Sequence, residues 1–146
     1  MFWTEFARIF IAAILGASIG LERELHHKSA GFRTNILICI GAAVFTIISK
    51  QMVVETNDSL TRIAAQIVSG VGFLGAGAII QDRGGIHGLT TAATIWLDSS
   101  IGMACGAGLY SLAILTTVIA IFVLLILVKL PIPFSNKTKN DKNIEK

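Results

Sequence analysis

Apolar residues run through this chain in five blocks, each closed by a short polar or glycine-rich connection. The blocks cover about residues 4–21, 34–50, 63–80, 89–105 and 109–128, lengths close to the ~20 residues that cross a hydrocarbon layer as a helix. They predict an all-α, polytopic membrane protein of five transmembrane helices. The first block has a short uncharged core, Ile9 to Leu21. Its upstream turns make up the length, with Phe2, Trp3 and Phe6 suited to the membrane interface. Glu5 and Arg8 are three apart and can face each other on a helix. Residues 22–33 read as a charged, solvated connection. Lys50 at the end of the second block can snorkel, and Asn57, Asp58 and Ser59 are turn and cap formers. Gly106, Ala107 and Gly108 predict a tight break. The fifth block has neither charge nor glycine and reads as lipid-facing. Pro131 and Pro133 stop it, so residues 1–130 form the membrane domain. Residues 131–146 form a polar, lysine-rich cytoplasmic tail, expected to be disordered.

Composition supports the bilayer as solvent. The chain is 53% hydrophobic and 14% charged, with mean hydropathy +0.74, whereas soluble domains carry about 25% charged residues. The net charge of +3 does not indicate nucleic acid, because the basic residues sit in connections and tail rather than on one face. Their distribution sets orientation instead. With residues 22–33, 81–88 and 129–146 cytoplasmic, that side holds nine of the twelve Lys and Arg. The positive-inside rule then puts the N-terminus outside and the C-terminus inside. The N-terminus lacks the basic start and small-x-small site of a cleavable signal. Cys39 and Cys105 lie in apolar blocks without metal-ligand spacing and read as small packing residues.

Chemistry concentrates between Arg62 and Cys105. Gly70, Gly72 and Gly75 match G-x-G-x-x-G, but in the middle of a span and with no strand before them, so no nucleotide is expected. Close helix packing explains the glycines better, since small residues let backbones approach in lipid. Gly70, Gly72, Gly75 and Gly77, with Gly16/Gly20 and Gly102/Gly106 at small-xxx-small spacing, suit a bundle interior or a homo-oligomer. Asp98 falls near the middle of the fourth block, where an acid costs about 2.5–3.5 kcal/mol on insertion scales. It reads either as a proton- or cation-responsive site or as a structural pair. Gln66 is the first expected partner and Arg62 the charged alternative. Thr91 shares the Asp98 face, and Thr94 precedes it on the same helix. Glu22, Glu24, His26 and His27 have the donor types of a metal cluster but equally the look of a solvated loop, so a metal site stays open. His87 is a lone loop histidine. No Ser/His/Asp or Cys/His arrangement occurs, and neither an enzyme nor a cofactor is expected.

A weak internal echo is also present. LGASIGLERE (15–24) resembles LGAGAIIQDR (74–83) at an offset of 59, and GFRT (31–34) resembles GLTT (88–91) at an offset of 57. Both copies run in the same direction, as in a parallel repeat.

Four blocks, GASIGLERE (16–24), AGFRTN (30–35), RIAAQIVSGVGFLGAGAII (62–80) and GLTTAATIW (88–96), together resemble the MgtC/SapB family of bacterial membrane proteins, over about residues 12–110. The resemblance implies a multi-pass protein of the bacterial plasma (inner) membrane, linked to adaptation to magnesium limitation and acid stress and, in pathogens, to survival inside macrophages. Some members are described as accessory to magnesium transport, and one is associated with inhibition of the membrane ATP synthase. Carried over residue by residue, the motif falls on Glu22, Arg23, Gly31, Arg33, Thr34, Arg62, Gln66, Gly75, Gly77, Gly88, Thr90, Thr91 and Trp96. Long members carry a C-terminal ACT-like domain, which a short form would lack. The resemblance implies small or apolar residues after the Ile-Trp pair, so Asp98 is expected to be particular to this chain. The expected function is non-enzymatic: modulation of another membrane complex, or self-association, through glycine-rich faces. Glu22, Arg23, Arg33 and Arg83 would form an ion-pair cluster joining the two copies of the echo. The rival is a small Mg²⁺ or H⁺ transporter or channel with Asp98, Gln66 and the threonines in its path.

Overall fold

The computed structural model describes residues 2–52, 58–82 and 85–127. Five helices follow in order: α1 (Phe2–Leu25), α2 (Phe32–Met52), α3 (Asp58–Gly77), α4 (Leu89–Ala107) and α5 (Tyr110–Ile126). Between α3 and α4 lies an antiparallel pair, β1 (Ile80–Asp82) and β2 (Gly85–His87), with Ile80 opposite His87 and Asp82 opposite Gly85. The helix order follows the hydrophobic blocks, and several boundaries differ from expectation: α3 begins at Asp58, five residues before the expected span, and two further differences bear on the site. First, α1 runs through Glu22, Arg23 and Glu24, because Glu, Arg and Leu are strong helix formers and no breaker stands before Leu25. Second, α3 ends at Gly77 rather than at residue 80, and the expected polar loop is a small hairpin. Gly88, at φ 87°, then turns the chain into α4, a backbone conformation that glycine adopts without strain. The expected turn at residue 57, Arg83, and the tail with Pro131 and Pro133 lie outside the described residues.

Helix α4 is the hub, packing against α1, α2, α3 and α5. The tightest contacts form a seam of α1, α2 and α4. A Cβ on Gly16 would stand 2.8 Å from the Asn35 carbonyl oxygen, and one on Gly20 would stand 2.8 Å from the Phe32 Cα. On the other side of α2, Gly102 lies against the Cys39 backbone and Gly106 against Ala43 and Thr46. These contacts make α1 antiparallel to α2, and α2 parallel to α4. Gly75 beside Ala92 makes α3 antiparallel to α4, so successive helices alternate in direction.

The C-terminal end of α4 is closed by charge. Gly108, at φ 87°, donates its N–H to the Cys105 carbonyl, and Leu109 donates to Ala104. This is the glycine-terminated cap that satisfies orphan carbonyls. Arg8 Nη1 then donates to the Gly106 carbonyl at 3.0 Å and Lys50 Nζ to that of Ala107 at 3.1 Å. Arg8 therefore does not pair with Glu5, which instead accepts from Gln51 Nε2 at 2.6 Å. Two cations at a helix C-terminus complement its dipole, and that competing use of Arg8 was not visible in the spacing.

Large apolar side chains cover the outside. Phe2, Trp3, Phe6 and Phe10 form an exposed aromatic ladder on α1. Phe73 on α3 and most of α5 are exposed as well; α5 buries only Ala113, Thr117, Ala120 and Leu124. α1 and α2 are each long and apolar enough to cross a bilayer, and Ala64–Gly77 and Tyr110–Ile126 are shorter apolar helices.

Candidate functional site

Two places combine polar chemistry with incomplete packing. The first is an apolar groove of about 750 Å³ between α2 and α3. Leu37, Gly41 and Phe45 stand on one wall, Gln66, Gly70 and Leu74 on the other, and Ile95 of α4 joins them. Thr34 also lines it, so its α2 wall spans twelve residues, roughly 18 Å at the helical rise. Among the described residues, Gly41 and Gly70 have nothing within 4 Å of where a Cβ would stand, and the same holds for Gly72 and Gly77. Of the α3 glycines, only Gly75 meets a neighbour, Ala92.

The second place is a buried charge cluster. Glu22 and Arg23 sit on the buried face of α1 and are 6% and 2% exposed. They are thus not part of a solvated connection, because α1 continues through them and turns both inward. Arg23 Nε and Nη2 donate to Oε2 and Oε1 of Glu22, the second at 2.8 Å. His26 Nδ1 lies 3.1 Å from Glu22 Oε1 and 2.8 Å from the Glu22 carbonyl oxygen, with its ring about half exposed. On α4, Asp98 is 0% exposed and neither carboxylate oxygen has a hydrogen-bond partner among the described residues. Its backbone carbonyl accepts from Cys39 Sγ at 3.2 Å. Gln66, the partner expected for Asp98, makes no bond to it: Gln66 is exposed and lines the α2–α3 groove.

The other candidates are scattered. Arg33 is exposed and forms no ion pair with Glu22 among the described residues, and Arg83 is outside the described residues. Of the expected four-residue ion-pair cluster, the Glu22–Arg23 pair is the part seen among the described residues. Arg62 lies within α3, and its side chain is outside the described residues. Thr34 and Thr90 are exposed, with Thr90 lining a smaller cleft of about 290 Å³ between α4 and α5. Thr91 and Thr94 are buried, and Thr94 Oγ1 donates to the Thr90 carbonyl, the back-bond that satisfies a hydroxyl within a helix. Glu24 Oε2 accepts the Phe32 N–H at 3.0 Å and so closes the start of α2. Of the donors considered for a metal, Glu22 is held by Arg23 and His26, and Glu24 by the start of α2. No group of three His, Cys, Asp or Glu converges on one point among the described residues. His87 lies on the exposed hairpin, 3.6 Å from Asp82.

Asn35 is the site residue that the sequence reading did not single out. Fully buried, it donates Nδ2 to the Ala30 carbonyl at 2.9 Å and to the Gly31 carbonyl at 2.6 Å, clamping the α1–α2 turn. Its Oδ1 has no partner. The available signal was an amide in the first turn of an otherwise apolar helix, where a polar side chain must serve the adjoining backbone.

Comparison with known proteins gives concordant matches. A family model described as "MgtC family" matches residues 9–131. "Protein MgtC" of Brucella abortus (strain 2308) is 50% identical over 112 residues, 77% of this chain and 46% of that protein. "Protein MgtC" of Salmonella typhimurium (strain 14028s / SGSC 2262) is 48% identical over 76% of this chain and 47% of that protein. The "Putative magnesium transporter YhiD" of Escherichia coli (strain K12) is 43% identical over 89% of this chain and 63% of that protein. This chain spans about half the length of the first curated relatives it matches. No solved structure matches it.

Proposed function

We propose, for a chain that belongs to the MgtC family, a non-enzymatic role in the bacterial plasma membrane: it seats a transmembrane helix of another membrane complex in the α2–α3 groove. Five crossings, with the N-terminus outside and the C-terminus cytoplasmic, accord with the alternating helices, the apolar exterior and the charge bias. Adaptation to magnesium limitation or acid stress is the setting that its relatives' names and the family resemblance support.

The observation that carries this reading is the open Gly70 of α3, lining the same groove as Gly41. Lipid tails do not require glycine, whereas a second helix does, because backbone approach is what drives association where no hydrophobic force acts. Gln66 and Thr34 in the same groove supply polar groups that are costly against hydrocarbon and useful across a helix pair. Conduction, which the printed name of the Escherichia coli relative would favour, has less support. Asp98, Thr91 and Thr94 are sealed among helices, while Gln66 faces the groove, so these groups do not make one continuous polar route.

A photo-crosslinking amino acid at Leu74, in the groove, is compared with one at Leu115, on the outer face of α5. The experiment uses native membranes of cells limited for magnesium. The expected result is one discrete protein adduct from position 74, none from 115, and loss of both adduct and growth support in Gly70→Leu. An adduct of twice the chain's mass would show a second copy in the groove and overturn the proposal of another protein. Equal adducts at both positions, or a fully functional Gly70→Leu, would also overturn it. In proteoliposomes of the chain alone, Mg²⁺ or H⁺ flux that disappears in Asp98→Asn would replace docking by conduction.

A further inference from the structure

The α1–α2 turn fixes its own backbone and leaves two cations over. Helix α1 ends in the paired bonds of a Schellman cap, His27 N–H to the Glu24 carbonyl and Lys28 N–H to that of Arg23. His27, at φ 53°, stands where such a cap usually has glycine. From α2, Asn35 holds the Ala30 and Gly31 carbonyls, and Glu24 accepts the Phe32 N–H. The Glu24 carboxylate lies where a Cβ on Gly31 would stand. Of the charges between residues 22 and 33, Glu22 and Arg23 are spent on each other, with His26 beside Glu22. Glu24 is spent on the start of α2, where the helix dipole favours an anion. Lys28 and Arg33 remain. Among the described residues, neither side chain makes an ion pair or a hydrogen bond.

Both cations line one open recess of about 790 Å³, together with the exposed hydroxyls of Ser29 and Thr34. A guanidinium fork, a compact ammonium and two hydroxyl donors are the groups that a phosphate takes. Leu21 and Phe32, both exposed, make an apolar wall of the same recess. Leu21 stands seven residues after Ile14 and eleven after Phe10, so the three share one face of α1, and all three are exposed. A soluble phosphate has no use for such a stripe, whereas a phospholipid would lay its chains along it. We propose that this recess binds the phosphate of an anionic phospholipid, held by Lys28 and Arg33, with the acyl chains along Leu21 and Ile14. A zwitterionic headgroup brings a cation of its own, which Lys28 and Arg33 repel. The site lies at the cytoplasmic end of α1 and α2 in the orientation that the charge bias gives, where anionic headgroups attract basic side chains. It rests on the membrane reading above and not on helix docking. The recess adjoins the α2–α3 groove at Thr34, which lines both.

The test is native mass spectrometry of the full chain, extracted from membranes in detergent and titrated with phosphatidylglycerol or phosphatidylcholine of matched chains. The first phosphatidylglycerol adduct is expected to form at a lower lipid concentration than the first phosphatidylcholine adduct. Each cation should contribute about fivefold. Lys28→Gln and Arg33→Gln should each weaken that adduct about fivefold, and the double variant should bring it to the level of phosphatidylcholine. Lys28→Arg combined with Arg33→Lys should keep the preference. So should Lys137→Gln combined with Lys139→Gln, which removes the same charge from the tail. A preference that survives the recess double variant, or that falls equally with the tail pair, would overturn the site. Glycerol phosphate at the same concentrations should give no adduct. Binding of it as tight as that of phosphatidylglycerol would overturn the lipid and assign the recess to a soluble phosphate ester. A chain found in the cytosol instead of the membrane fraction would overturn the membrane reading itself, whereas membrane-extracted chain without a lipid preference would overturn the recess alone.

Discussion

The hairpins α1–α2 and α3–α4 repeat one design with opposite results in packing. Gly16 and Gly75 are equivalent at the offset of 59, and Asn35 and Ala92 at the offset of 57. Each glycine faces the backbone carbonyl of its counterpart, at 2.8 Å in the first hairpin and 3.5 Å in the second, measured from a notional Cβ. The first bond of the second helix is also shared: Asn35 N–H donates to Gly31, and Ala92 N–H donates to Gly88. The difference lies in what surrounds these points. The first hairpin has Asn35 to clamp its turn and Glu24 to close the start of α2. The second has alanine in place of the clamp and a small β-pair in place of the turn, and its glycines at 70, 72 and 77 face open space. One arrangement makes a core and the other leaves a surface. Small residues at helical spacing do not distinguish the two; the side chains on the opposite helix do.

The comparison is broken most severely by filling the closed seam. Gly102→Leu places a branched side chain against the Cys39 backbone, which cannot move without shifting α2. A loss of about 3 kcal/mol or more is expected, at the upper end of overpacking costs, enough to deplete the folded protein. Unfolding in detergent, followed through Trp3 and Trp96, measures it. Asn35→Ala turns the first hairpin's clamp into the residue found in the second. It leaves the buried Ala30 carbonyl and the half-buried Gly31 carbonyl without Nδ2, at about 1–3 kcal/mol. The same unfolding measurement should place it below wild type but above Gly102→Leu. A neutral Asn35→Ala would mean that the clamp does not account for the tighter hairpin.

Much of this was legible beforehand, for identifiable reasons. The five helices follow from apolar blocks near bilayer length, a signal that does not depend on contacts. The spacing of Gly16/Gly20 and Gly102/Gly106 announced close packing but not its partner, because periodicity locates a face and not what it meets. Glu22 and Arg23 were read as solvated, since charge in a connection usually is. Their burial depends on α1 continuing about one turn past its apolar core, a boundary that composition does not set. The Asp98 acid was evident, and its lack of a hydrogen-bond partner was not, because Gln66 had the right depth and the wrong face. The use of Arg8 and Lys50 on the end of α4 joins residues about 98 and 57 positions apart, beyond any local pattern.

Arg8 gives a smaller test, at the end of the bundle where all three tight helices meet. Arg8→Gln removes the charge and keeps some reach toward the Gly106 carbonyl. The loss should be about 1 kcal/mol, the scale of a cation at a partly buried helix C-terminus. It should shrink in high salt if the dipole interaction dominates. A salt-independent loss would assign the effect to the hydrogen bond instead.

The smallest effect on stability sharpens the comparison most. Gly70 and Gly72 are both helical, both open, and two residues apart, so they project to different sides of α3. Only Gly70 lines the groove. A Cβ at either position meets nothing within 4 Å among the described residues, and leucine replaces a poor helix former by a good one. Each variant should therefore be unchanged or more stable, by up to about 1 kcal/mol, in contrast to the collapse expected at Gly102. Their functional behaviour should then diverge. Gly70→Leu fills the groove and should abolish the adduct from position 74, while Gly72→Leu should leave it intact. If both variants lose the adduct, the partner rests on the whole outer face of α3 rather than in the groove. If both destabilise the protein, the second hairpin is packed as tightly as the first, and the contrast between them fails.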